Sequence, residues 1–152
     1  MTTESHCATS PANTKAQLAP AILVLERTPR LETILKKSLA DSRCLIRPCR
    51  SPGDLTALAQ RMPASVCVLD WSGWPIELLG LLDRLQLSHC GAHPVVIATS
   101  QLAPLEWAAR EAGAIGFFAP ILSETELVCL CGRLLGDQSG SEVASTATQK
   151  AK

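Results

Sequence analysis

VCVLDWSGW, residues 66–74, decides how the rest of the chain is read: four apolar residues, one acid, then two tryptophans on either side of Ser72 and Gly73. An unbroken apolar run of this length suits a strand buried on both faces, and the small pair after it reads as loop. Four more runs have the same character: AILVLE (21–26), CLIRPC (44–49), PVVIAT (94–99) and IGFF (115–118). What a carboxylate does at the tip of such a strand is the question the remaining sequence has to answer.

The segments between these runs have helical period. Thr28 and Pro29 suit the cap and first position of a helix whose Leu31, Ile34, Leu35 and Leu39 share one face. Leu55, Leu58 and Ala59 mark a second helix, and Leu78, Leu81, Leu82 and Leu85 a third. Leu105, Ala108, Ala109 and Ala112 mark a fourth, which stops at Gly113. Ser123 and Glu126 stand in capping-box spacing before Leu127, Leu130, Cys131 and Leu134. Five apolar strands alternating with five helices predict an α/β fold, a three-layer sandwich with a parallel sheet covered on both sides. Ligand sites in such sheets lie beyond the carboxyl ends of the strands, where Glu26, Asp70, Thr99 and the residues after Phe118 fall. Asp70 is thus delivered to a rim, where its charge stays solvated.

With 152 residues, 47% of them hydrophobic and 18% charged, the chain suits one globular domain. Residues 1–19 and 137–152 are rich in Ser, Thr and Ala without periodicity and read as disordered tails around a domain at 20–136. The formal net charge is zero and the 14 basic residues read as spread along the chain, which argues against a nucleic-acid or membrane partner. No apolar run approaches the roughly 20 residues of a membrane span, and no secretory signal opens the sequence, so a cytoplasmic protein is expected. The seven cysteines (7, 44, 49, 67, 90, 129 and 131) lack zinc-site spacing, and their odd number argues against a disulfide framework. An enzyme is not expected: ERTPRLE after the first run contains no glycine for a phosphate loop, and there is no GxSxG elbow.

Taken together, VCVLDW, HPVVIATS and EAGAIGFF, in this order and spacing, resemble a response-regulator receiver domain of the chemotaxis-regulator kind over about residues 20–136. The resemblance implies a flavodoxin-like sheet of strand order 2-1-3-4-5, Asp70 at the phosphoacceptor position and Thr99 at that of the switch hydroxyl. Receivers that accept phosphate carry two acids after the first strand to hold Mg²⁺, and a lysine after the fifth. This chain has Glu26 followed by Arg27, and GFFAPIL puts Ala119 or Pro120, according to alignment, where the lysine belongs. Transfer of a phosphoryl group depends on such placed charges. The resemblance is therefore to a degenerate pseudo-receiver: a stand-alone signalling adaptor or regulator without a cofactor. The alternative is a phosphorylated single-domain response regulator of a phosphorelay using Mg²⁺, and a weaker one a small flavin- or nucleotide-binding module.

Each site residue has a plainer reading beside the functional one. Asp70 is either a phosphoacceptor or a rim acid held by Arg27 or by helix amides; Glu26 is either a cation ligand or a solvated or Arg-paired acid. Thr99 is a switch hydroxyl, or a strand-end residue capping the fourth helix. Trp71 and Trp74 either contact another protein or cover the former phosphorylation pocket. At about 100° per residue, Trp107 projects away from the inner stripe of the fourth helix. It marks, with Phe117, an expected partner or homodimer surface on the fourth helix, fifth strand and fifth helix; the resemblance adds a sensor kinase or another signalling protein as partner.

Overall fold

All five apolar runs form strands in the computed structural model, which describes residues 19–72, 75–119 and 122–136. β1 (Ala21–Leu25), β2 (Leu45–Cys49), β3 (Val66–Asp70), β4 (His93–Ile97) and β5 (Gly116–Phe118) pair in parallel in the order β2-β1-β3-β4-β5. The crossovers are α1 (Leu31–Ser38), α2 (Pro52–Arg61), α3 (Pro75–Leu87) and α4 (Glu106–Glu111), and α5 (Glu124–Gly136) follows β5. The expected fourth helix is divided, a 3₁₀ segment at Ser100–Leu105 preceding α4, with Pro104 inside it. Among the described residues no helix is long and apolar enough to cross a membrane.

Alternation along the strands builds two core layers. Ile22, Val24, Val66 and Val68 face Leu31 and Leu35 of α1 and Leu127 and Cys131 of α5. Leu23, Leu25, Cys67 and Leu69 face Leu55 and Ala59 of α2, Leu78 and Leu82 of α3, and Ala109 of α4. All five residues of β1 are buried, whereas β2, at the sheet edge, buries only Cys49. The Leu45 amide donates to the Pro20 carbonyl (2.8 Å), so Ile46 and Pro48 direct their backbone groups outward. Pro48 has no amide to offer there, which blunts the open edge against pairing.

Helix ends follow their sequence signals in two cases and depart in a third. Ser123 and Glu126 form the reciprocal capping box: the Ser123 amide donates to Glu126 Oε2 (2.9 Å) and the Glu126 amide to Ser123 Oγ (3.3 Å). The Ser123 amide, together with the Ser123 hydroxyl, which also donates to Glu126 Oε2 (2.9 Å), holds the Glu126 carboxyl below its ordinary pKa. After α4 the amides of Gly113 and Ala114 return to the carbonyls of Arg110 and Ala109, and Gly113 takes φ +113°, a left-handed Schellman stop. At α1, however, Thr28 does not cap: the helix begins at Leu31, and its cap position, Arg30, makes no side-chain cap bond. A carboxylate from the end of β1 serves the first turn instead, as described below.

Counting by stretch corrects the reading of charge as evenly spread, and the fold gives the unevenness a direction. Between Arg27 and Arg61, which covers α1, β2 and α2, eight basic residues stand against three acids, a surplus of five positive charges; between Met62 and Gly136 three stand against seven, a surplus of four negative. Because β2 is an edge strand, these two stretches become two sides of one molecule, and all eight basic residues are exposed.

Candidate functional site at the carboxyl edge of the sheet

Register brings the expected site residues together. Leu25 pairs with Leu69 and Asp70 with Ile97, so Glu26 and Asp70 end neighbouring strands and Thr99 lies two residues beyond the end of β4. Ala119 follows β5 directly; Pro120 and Trp74 lie outside the described residues. Glu26, Asp70, Thr99 and Ala119 are all partly exposed.

The bonding within this group differs from what the sequence suggests. Glu26, though partly exposed, is held by a helix: its Oε2 accepts from the Leu31 amide and its Oε1 from the Glu32 amide, both at 2.9 Å. A carboxylate on the first amides of a helix satisfies donors that lack an intrahelical partner and meets the positive end of the helix dipole. The Asp70 carboxylate turns back on its own chain. Its Oδ1 accepts from the Ser72 hydroxyl (2.7 Å) and amide (3.1 Å). Asp70 is thus bonded to Ser72, where the sequence suggests Arg27 as its partner. The reason is local: an Asp two residues before a Ser can close an Asx turn at far smaller entropic cost than an ion pair between long side chains. The Asp-x-Ser spacing was the available signal for it. Thr99 occupies the cap position of the 3₁₀ segment but makes no side-chain cap bond.

These residues fit a divalent cation poorly. Such a site needs several free carboxylate oxygens, whereas both oxygens of Glu26 are spent on amides, the next residue is the basic Arg27, and Asp70 Oδ1 is engaged by Ser72. Among the described residues no three His, Cys, Asp or Glu side chains converge as ligands. An open cleft of about 450 Å³ does border Glu26, but on its β2 side, lined by Val24, Arg27, Pro48, Cys49 and Arg50 as well.

Two aromatics expected at a contact surface lie in the core. Trp71 is 0% exposed and packs edge-on against Phe117, with ring centroids 5.6 Å apart. Its amide donates to the Ile97 carbonyl (2.9 Å), carrying the ladder one residue past β3, so strand alternation sends the indole to the side of Cys67 and Leu69. Phe117 is itself buried, on the α4 side of the sheet. Neither residue is available to a partner. Trp107, in contrast, is 73% exposed, as its helical position predicts.

No family model and no curated protein matches the sequence. Solved structures do match the fold. The Francisella response regulator 1452 receiver domain superposes with a TM-score of 0.66 at 14% identity, over 78% of this chain and 98% of that one. The receiver domain of the putative LuxO repressor protein from Vibrio parahaemolyticus gives 0.68 at 15% identity, over 80% and 94%. A CheY-like protein, TadZ, from Pseudomonas aeruginosa gives 0.61 at 24% identity, over 76% and 98%. With its five parallel strands in the order 2-1-3-4-5, this chain has the fold of the response-regulator receiver domains.

Proposed function

We propose that the protein is a receiver-like signalling module that works through protein contacts and does not take up phosphate in the ordinary Mg²⁺-dependent way. The observation that carries this reading is Glu26. The one acid left at the metal-binding end of β1 uses both oxygens to hold the first turn of α1, with a fixed cation, Arg27, beside it. Extracting that carboxylate for a metal would leave two helix amides unsatisfied. Without a divalent metal ion, the charge that builds up when a carboxylate accepts a phosphoryl group lacks its usual counter-charge. Signalling then passes through surface contacts, and Trp107 is the exposed aromatic best placed for one. The reading includes a cytoplasmic setting, no resident cofactor and no role as an enzyme.

Acetyl phosphate with Mg²⁺, read by intact mass, tests this. The expected outcome is an unmodified chain. A phosphoryl adduct that Asp70→Asn abolishes refutes the proposal in favour of a phosphorylated response regulator.

A further inference from the structure

The exposed indole of Trp107 has a complementary seat on the opposite edge of the same molecule. At the amino end of β1 and β2, Pro20, Ala21, Leu45, Met62, Pro63 and Ala64 line a pocket of about 260 Å³ whose walls are wholly apolar residues. Leu45 at its rim is 37% exposed. Arg43, Arg47 and Arg61, each within two positions of a lining residue, are exposed around it. Trp107 lies on α4, beside the other edge strand, in the half of the molecule with the negative surplus. Of its neighbours, Glu106 is bonded to Arg110 (2.9 Å), while Glu111, four residues on and so on the same face, is the acid that a basic rim would meet.

We infer that the two features meet between copies: Trp107 of one molecule seats in the Leu45 pocket of the next. This rests on reading Trp107 as a contact residue and names its partner as a second copy of this chain. Three observations favour that occupant. An aromatic knob matches an apolar pocket, and a negative surplus matches a positive one, with both members of each pair on this chain. The net charge of zero leaves no overall repulsion between copies. Nucleic acid fits less well, since the pocket is apolar and the basic half displays no exposed aromatic among its described residues for bases to stack on. Knob and pocket lie at opposite edges of a single sheet, so a pair of copies uses one of each and leaves one of each open. The contact is heterologous, and assembly proceeds head to tail.

Sedimentation velocity of the full chain, nuclease-treated, tests this with two variants at exposed positions. Wild type should associate with rising concentration at about 0.01 M salt and much less at about 1 M, across which the screening length falls from roughly 30 to 3 Å. Trp107→Ala lacks the knob and Leu45→Glu blocks the pocket, so each alone should associate about 30-fold more weakly or worse. Mixed in equal amounts they should form a one-to-one dimer and nothing larger, because each supplies the part the other lacks. A monomeric wild type, a mixture that fails to pair, or association that requires nucleic acid overturns the inference. If Trp107→Ala weakens association and Leu45→Glu does not, the pocket is wrong while Trp107 remains a contact residue, so the two readings fail separately.

Discussion

Glu26→Ala removes the carboxylate that accepts from the Leu31 and Glu32 amides, on a helix whose cap residue supplies no side-chain bond of its own. An N-terminal side-chain cap is worth about 0.5–2 kcal/mol, and a negative charge at a helix N-terminus about 0.3–1 kcal/mol. Since one partly buried carboxylate does both, a loss of about 1–2 kcal/mol is expected. With a urea slope of about 2 kcal/mol per molar, that lowers the unfolding midpoint by roughly 0.5–1 M. Glu26→Gln keeps one acceptor oxygen without the charge and should lose about half as much. Far-UV circular dichroism in urea gives the midpoint, and hydrogen exchange localises the effect. The Leu31 and Glu32 amides should lose protection, while the Asp54 amide, capped by Ser51 at 3.1 Å, should keep it. If Glu26→Ala unfolds at the wild-type midpoint with those two amides still protected, the carboxylate is not committed to α1, and the case against a cation at this site loses its support.

Other perturbations separate core from surface. Trp71→Ala should cost about 3–5 kcal/mol, because a fully buried indole and its edge-on contact with Phe117 are lost; Trp107→Ala should stay within about 0.5 kcal/mol of wild type, and equal effects in urea unfolding would contradict the burial assignment. Gly113→Ala should destabilise by about 1 kcal/mol or more, since φ is +113° and the new Cβ would lie 3.4 Å from the Gln86 side chain; an unchanged melting temperature would show that α4 ends otherwise. Burial pushes the thiols of Cys49, Cys67 and Cys131 up to about 12 from an ordinary 9.0. The folded chain therefore keeps protons that the unfolded chain releases above about pH 9, so stability is complete below that pH and falls as pH rises towards 12, by up to about 1.4 kcal/mol per pH unit for each thiol. At neutral pH a thiol reagent should label exposed Cys129 long before Cys67; equal rates in the native state would argue against the core placement.

The strands, their parallel arrangement and the helix stripes were legible because each is a local pattern: apolar runs flanked by turn residues, and a 3.6-residue period with its stop at Gly113 and its box at Ser123 and Glu126. The position of Asp70 at the carboxyl rim follows from the same patterns, since a strand apolar to Leu69 must end where a charge begins. Sequence also placed Trp107 outward, because one helical turn fixes which way it points.

What only the tertiary structure decided depends on neighbours far apart in the chain or on the exact end of an element. Trp71 reads as loop, yet one more ladder bond, to Ile97, extends the alternation of β3 and turns the indole into the core. Glu26 reads as a rim acid until the start of α1 at Leu31 puts two unsatisfied amides within its reach, a gain that outweighs capping by Thr28. The unequal charge of residues 27–61 and 62–136 can be counted in the sequence, but only the placing of β2 at the sheet edge, with α1 and α2, sets the two stretches on two sides of one molecule. Local period fixes which way a side chain faces, but what it faces is set by strand order, because only the packed sheet brings distant residues together.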